Sequence, residues 1–200
     1  MSDIQTSKRL VTVLRHTASQ MNISIDINGF VKVSELLSTR EFSHLTPTDI
    51  KRIADNDAKK RYFIKNQYGE LMIRANQGHS LQVSDLSFQP VLSGRDYPNV
   101  IHGTRHHAWN VISRDGLSKM GRMHIHFAIG VPGDPKVISG MPRNSEIIIY
   151  LNLNLALKNG MKFFLSENNV MLTEGDVNGF IKPKYFQKVI DRKTGNLLTW

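Results

Sequence analysis

Apolar positions at three- and four-residue spacing open the chain. Leu10, Val13, Leu14, Thr17, Ala18 and Met21 form one stripe and predict a helix over 7–21. Ile23-Ser24-Ile25-Asp26-Ile27 then alternates as a short strand does, up to the turn signal Asn28-Gly29. Ser34 is placed to cap a second helix carrying Leu36 and Leu37. Thr46-Pro47-Thr48-Asp49 starts a third, with Thr46 as cap, Pro47 at the first helical position and Asp49 facing the exposed N–H groups. Its inward residues are Ile50 and Ile53. Two apolar runs, 61–65 and 71–75, flank Asn66-Gln67-Tyr68-Gly69 and predict a hairpin.

Three helices followed by a hairpin is the element order of a winged helix-turn-helix, which offers a helix and a ribbon to nucleic acid. The same order also serves protein contacts, so it does not fix a function. Residues 83–99, with Pro90, Gly94 and Pro98, read as a linker. Beyond it the pattern is strand-rich: Asn99–Thr104, His124–Gly130, Ser145–Asn152, Lys162–Leu165 and Asn169–Thr173. Helices are expected over His106–Arg114 and Leu153–Lys158, with a last one starting at Pro183. The class is α+β in two parts, residues 1–92 and 93–200.

Composition narrows the partners. Of 200 residues, 40% are hydrophobic and 22% charged, an ordinary globular balance. Lys and Arg number 26 against 17 acids, and the net charge of +9 points to a polyanion. No apolar run approaches the roughly 18 residues of a membrane span. The opening MSDIQTSKRL has no signal core, so an intracellular protein that meets nucleic acid is expected, with nucleus or cytoplasm undetermined. Cysteine is absent, which excludes thiol nucleophiles, disulfides and Cys-type zinc sites.

Four features could carry chemistry. Arg15-His16 are helix neighbours and diverge by about 100°, so both cannot lie in the apolar stripe; they are either solvated or turned to a cleft. Lys59-Lys60-Arg61 is either a charged strand edge or a phosphate grip. His102-Gly103-Thr104 ends a strand in a glycine turn, which either makes the turn or lets a ligand approach the backbone. His124 and His126 are expected on one strand face. Two His at that spacing suit zinc, but no third ligand is evident, so no metal is assigned. Neither the Walker loop nor the Rossmann glycine pattern occurs.

Taken in order, these landmarks resemble the RNA 2'-phosphotransferase family. The blocks are Leu14-Arg15-His16, Asp26-Ile27-Asn28-Gly29-Phe30-Val31, Glu35-Leu36-Leu37, Asn56-Asp57-Ala58-Lys59-Lys60-Arg61-Tyr62-Phe63, Ile73-Arg74-Ala75-Asn76-Gln77-Gly78-His79-Ser80, His102-Gly103-Thr104, Arg122-Met123-His124-Ile125-His126, Ser139-Gly140-Met141, Asn168–Thr173 and Pro183-Lys184-Tyr185-Phe186. Each is short; their order and spacing together are specific. One departure stands out: many relatives carry Arg directly after Ser-Gly-Met, where this chain has Pro142 and then Arg143.

The resemblance implies an N-terminal winged-helix lobe that binds RNA and a C-terminal ADP-ribosyltransferase-like lobe of mixed β structure that binds NAD. It implies Arg15, His16, Arg61 and Arg122 as the catalytic set, clamping a 2'-phosphate. NAD as co-substrate falls to His102, Gly103, Thr104, His124 and His126, and RNA to Lys60, Lys65, Arg74 and Arg143. In the implied reaction the RNA 2'-phosphate displaces nicotinamide to give RNA-2'-phospho-ADP-ribose. The ribose 2''-hydroxyl then attacks the phosphate, leaving 2'-hydroxyl RNA and ADP-ribose 1'',2''-cyclic phosphate. The partner is an RNA with an internal 2'-phosphate, a spliced tRNA, and the protein is expected to be a monomer. Two other readings are an ADP-ribosyltransferase that caps nucleic-acid phosphate ends and a non-catalytic winged-helix RNA-binding protein.

Overall fold

A computed structural model of the chain describes residues 3–81, 83, 88–131, 134, 137, 139–142 and 144–200. It is a mixed α+β protein in two compact units, Met1–Ser87 and Phe88–Trp200. Arg143 and its expected RNA contact lie outside the described residues. No helix among those described is long and apolar enough to cross a membrane.

The first unit starts with α1 (Asp3–Thr12), which continues without a break into a π turn over Val13–Thr17 and a 3-10 turn over Ser19–Met21. The predicted stripe holds: Leu10, Val13, Leu14 and Ala18 are fully buried. The change of helical pitch was not predicted. The next strand was misplaced. Residues 23–27 form no ladder; the Ser24 N–H donates to Glu35, and Asp26 accepts from the N–H groups of Asn28 and Phe30 in a side-chain turn. The paired segment is β1 (Val31–Lys32), just beyond that turn.

α2 (Val33–Ser38) begins one residue before Ser34, which is therefore inside the helix and donates to Glu70 instead of capping. α3 (Pro47–Asp55) follows its sequence signal. Thr46 accepts from the Asp49 N–H, and Asp49 accepts from the Thr46 N–H. Ile50 and Ile53 face the core. β2 (Tyr62–Gln67) and β3 (Glu70–Ala75) form the hairpin around Tyr68-Gly69, both at positive φ, as a tight hairpin turn requires. The sheet order is β1-β3-β2. Tyr62, Ile73 and Ala75 close its inner face over Leu10, Leu14, Leu36, Phe42 and Ile50.

The second unit is built on an antiparallel sheet ordered β12-β8-β5-β7-β10-β9-β4. Its strands are β4 (Gln89–Val91), β5 (Ile101–Thr104), β7 (Ile125–Ala128), β8 (Ile147–Leu151), β9 (Phe163–Leu165), β10 (Val170–Thr173) and β12 (Phe186–Asp191). β6 (Leu117–Ser118) and β11 (Phe180–Ile181) pair separately. α4 (His106–Asp115) and α5 (Leu153–Lys158) lie where the periodicity put them. Two expectations fail. Part of the supposed linker is the edge strand β4. The last helix is only a 3-10 turn, Pro183–Tyr185, after which the chain runs on as β12, with Phe186 inward, an irregularity between Phe186 and Lys188, and then Val189 and Asp191 inward at strand spacing. Pro183 gave a true helix-start signal, but a three-residue turn was all it started.

β8 is buried along its whole length. Ile147, Ile149 and Leu151 enter the main core with Phe127 and Val189, while Ile148 and Tyr150 pack on the other face with Ile101, Ala128 and Met141. A strand covered on both faces reads as a continuous apolar run, which Ile147-Ile148-Ile149-Tyr150-Leu151 is.

The Thr46–Asp49 pair gives a direct test. The Thr46 hydroxyl and backbone, with Arg52, hold the Asp49 carboxyl down at about 2. A carboxyl depressed on folding stabilises above its unfolded value near 4 and loses that contribution as pH falls toward 2. Thr46→Ala should cost about 1 kcal/mol in urea unfolding at neutral pH. It should also move the Asp49 midpoint, read by carboxyl NMR, back toward the ordinary aspartate range.

Candidate active site

Arg15 and His16 sit on the π turn that ends the first helix. A π turn widens the helix locally and recurs at functional sites. The last carbonyls of any helix lack intrahelical partners. Here the Arg15 carbonyl accepts the N–H groups of Ser80 and Leu81, 3.0 and 3.3 Å away. The stretch after β3 is thereby strapped across the helix end. Polar residues in that strap are buried: Asn76 is 6% exposed, Gln77 5% and His79 1%.

The strap holds the side chains of both Arg15 and His16. A guanidinium nitrogen of Arg15 donates to Gln77 Oε1 at 3.4 Å. Gly78 has φ +88°, and a Cβ there would lie 3.1 Å from both Cζ and Nε of Arg15, so the guanidinium rests against bare backbone. His16 Nδ1 is 2.9 Å from Ser80 Oγ. His79 packs its ring against Gly29.

Arg61 is fixed just before β2. Its N–H donates to Asp57 Oδ2 at 2.6 Å, and its guanidinium pairs with Asp57 Oδ1 at 3.2 Å and reaches Ser7 Oγ at 3.4 Å. Asn76 clasps the same stretch, its N–H donating to the Arg61 carbonyl and its amide to the carbonyls of Lys60 and Tyr62. Lys60, at φ +43°, turns the chain into this hold. The Tyr62 hydroxyl donates to the Ser7 carbonyl at 2.6 Å. Burial pushes that phenol up, Asp57 adds to the rise, and the charges of Arg61 and Arg15 both pull it back. Arg15, His16 and Arg61 thus belong to one neighbourhood. The local pattern left Arg15 and His16 as either solvated or cleft-facing. They are half-buried and held by named partners.

The expected RNA-contact residues differ among themselves. Lys60 is exposed and Lys65 half-buried, its Nζ 3.9 Å over the Phe30 ring. Arg74 departs from an open phosphate contact. It is 5% exposed, its guanidinium lies against the rings of Phe30 and Phe63, and it donates to the Asn28 carbonyl. Its charge is satisfied by aromatic faces and backbone, which ties the hairpin to the Asp26–Phe30 turn.

In the second unit, His102 Nδ1 bonds the His126 carbonyl at 2.9 Å and the ring meets Phe127 edge-on. Burial lowers the His102 pKa, the His126 bond opposes this, and the nearby Arg122 charge lowers it further. Arg122 therefore lies within electrostatic reach of a neutral imidazole. It is exposed, on the turn before β7, its N–H donating to the Lys119 carbonyl. His124 precedes β7 rather than lying in it. It is 8% exposed against Phe88, and burial holds its pKa low despite Glu174.

Strand alternation separates the remaining residues. His102 and Thr104 share the face of Phe127 and Ile149, whereas Gly103 and His126 share the face of Ala128 and Ile148. A Cβ on Gly103 would lie 2.2 Å from Ser145 Oγ and 2.3 Å from Met141 Cγ. Gly103 lies inside β5 rather than in the expected glycine turn, and its bare backbone leaves room for these two side chains. Among the described residues no group of three His, Asp or Glu is placed to hold a metal ion.

Asp57, Asn76, Gln77, Gly78 and Ser80 stand in blocks that carry the resemblance, but sequence reasoning gave them no role of their own. The last four form a polar run with one glycine after β3, and Asp57 follows the end of α3, patterns shared by any surface loop.

Each unit, taken by itself, presents arginine and histidine side chains on short segments held by named partners. The chain belongs to the family described as RNA 2'-phosphotransferase, Tpt1 / KptA, whose model matches residues 1–175. It is 41% identical over 190 residues to tRNA 2'-phosphotransferase 1 of Danio rerio, covering 93% of this chain and 84% of that protein. With tRNA 2'-phosphotransferase 1 of Homo sapiens the identity is 42% over 193 residues, covering 94% and 76%. With the tRNA 2'-phosphotransferase of Saccharomyces cerevisiae it is 36% over 204 residues, covering 98% and 86%.

Gly78 is the sharpest probe of the strap. In Gly78→Ala the positive φ should cost about 1–3 kcal/mol, and the new methyl must displace the Arg15 guanidinium. Thermal unfolding should show a drop of several degrees. Turnover at a temperature where the variant is fully folded should fall by roughly tenfold or more.

Proposed function

We propose that this chain removes the splice-junction 2'-phosphate of RNA, in a spliced tRNA, by transferring it to NAD. The products are 2'-hydroxyl RNA, nicotinamide and ADP-ribose 1'',2''-cyclic phosphate. The observation that carries this reading is that Arg15 and Arg61 both act on the Tyr62 phenol, with His16 on the same turn as Arg15, in a chain whose relatives are named tRNA 2'-phosphotransferases.

The residue chemistry supports it. A 2'-phosphate is already an anion, so the first step asks for neutralisation and aim more than for a base. Guanidinium groups stay charged and match phosphate oxygens two at a time. Arg61, held on one side by Asp57 and Ser7, and Arg15, held by Gln77 and the Gly78 backbone, are pre-aimed, which lowers the entropic cost of aligning phosphate for attack. In the second step, charge spreading over the phosphoryl oxygens is stabilised by the same fixed cations. His16 serves the phosphate beside them. Arg122, in the second unit, is assigned to the catalytic set on the resemblance alone.

NAD would supply the electrophilic ribose carbon and the hydroxyl that completes the transfer. The second unit fits such a ligand in kind. His102 is kept neutral by burial and so can share hydrogen bonds without adding charge, and Arg122 beside it offers a cation to a pyrophosphate. Thr104 shares the His102 face, while Gly103 and His126 face the other way and are assigned to NAD on the resemblance alone, as is buried His124. The α+β units are read as a winged-helix lobe and an ADP-ribosyltransferase-like lobe on the order of their elements.

Incubation with NAD and a short RNA bearing one internal 2'-phosphate is the deciding experiment. Dephosphorylated RNA together with the cyclic product is expected. Accumulation of the ADP-ribosylated adduct alone would reassign the protein as an end-capping transferase, and no nicotinamide release would end the proposal. Arg15→Gln, Arg61→Gln and Arg122→Gln should each lower kcat by about 10²–10³. Three near-normal rates would remove the phosphate clamp.

RNA backbone contact by Lys60 and Lys65 should make the KM for RNA climb with salt. Lys60→Ala should flatten that slope, while Arg74→Ala should act through stability, because its guanidinium is packed between rings.

A further inference from the structure

We propose that Ser80 is the positioning residue for His16, fixing both the orientation of its ring and the nitrogen that carries its proton. The inference rests on the reading of His16 as the group that serves the transferred phosphate.

Ser80 is held independently of the histidine. Its N–H donates to the Arg15 carbonyl at 3.0 Å, and the Leu81 N–H donates to that same oxygen. The Ser80 hydroxyl sits 2.9 Å from His16 Nδ1 and 3.5 Å from the Arg15 carbonyl. A hydroxyl has one hydrogen to give and lone pairs to accept with. Directed at the Arg15 carbonyl, the hydrogen leaves the oxygen as acceptor for Nδ1–H. The neutral ring then carries its lone pair on Nε2, and the protonated ring donates from both nitrogens.

The functional consequence follows from tautomer control. The hydrogen bond at one ring nitrogen sets the chemistry of the other. With Nδ1 committed to Ser80, the phosphate-side chemistry of His16 is assigned to Nε2. The main-chain bonds make this dependable. Ser80 is tied to the residue immediately before His16, so the hydroxyl and the ring move with one another. The helix alone gives no such constraint, because a half-buried imidazole can turn about its terminal torsion.

Two measurements test this on the full chain. With 15N-labelled histidine, long-range 1H–15N spectra at a pH where the ring is neutral should show His16 protonated on Nδ1, with the signal identified by its loss in His16→Gln. Ser80→Ala should shift the ring toward the Nε2–H form that free imidazoles favour. Its kcat should fall about tenfold, the size of one hydrogen bond of about 1.4 kcal/mol, with the KM for RNA little changed. Ser80→Thr, which keeps the hydroxyl, should restore both. A wild-type ring protonated on Nε2, or a Ser80→Ala enzyme with unaltered kcat, overturns the assignment. A loss of kcat in Ser80→Ala that Ser80→Thr fails to recover, with the tautomer unmoved, assigns Ser80 to the fold alone and overturns it equally. If the wild type itself does not act on 2'-phosphorylated RNA, the function falls while the spectra still decide the role of Ser80.

Discussion

The main-chain carbonyl of Arg15 accepts two amide hydrogens from the strap that follows β3, and the arrangement of the first unit's site turns on that junction. A helix end leaves carbonyls without partners, and burying them bare is costly. Most helices solve this with a glycine cap or with water. Here the first helix passes into a π turn, and its open carbonyl is taken up by residues more than 60 positions later. The same hydrogen bonds that close the helix bring Gly78 under the Arg15 guanidinium and Ser80 beside the His16 ring. Structural completion and site assembly are one event.

Arg61 shows the same economy from another direction. Asp57 closes the end of the α3 region with its bond to the Arg61 N–H and pairs with the guanidinium as well. Asn76, which begins the strap, holds the main chain on either side of Arg61. A strap residue therefore fixes one arginine while its neighbours Gln77 and Gly78 fix the other. Rigid aim matters more for guanidinium than strength of binding does. A planar fork held at the wrong angle gives a phosphate one hydrogen bond in place of two.

Sequence pattern reached the parts of this chain governed by local rules. Thr46-Pro47-Thr48-Asp49 specifies a helix start through bonds within four residues, and the structure has both of them. The hairpin, α5 and β8 were legible for the same reason. Residues 23–27 alternate correctly yet form no ladder, since Ser24 and Asp26 find side-chain partners that period-two reasoning does not see. The C-terminal segment failed because Pro183 signals a start and carries no information on length. Arg74 and Arg61 were separated only by the resemblance, not by local pattern. Each is an arginine at the edge of the same hairpin, but one meets two aromatic rings and the other a carboxylate. Nor did Ser80 show its role, which depends on a contact across 64 residues.

The electrostatics of the first unit carry one more consequence. Arg15 and Arg61 both act on the Tyr62 phenol, and His16 lies on the same turn as Arg15. Like charges gathered in a partly buried place repel one another, and the repulsion grows as water is excluded. Asp57 offsets part of it but is spent mainly on aiming Arg61. On the proposed function, a doubly charged phosphate would be attracted by both guanidinium groups. Sulfate or nucleotide phosphate would share some of that benefit. Discrimination in favour of a ribose 2'-phosphate must then come from where the phosphate's other substituents can go. On the proposed roles, the angle of each guanidinium and the bonded nitrogen of His16 set that limit; the strap holds Arg15 and His16, whereas Asp57 and Ser7 hold Arg61.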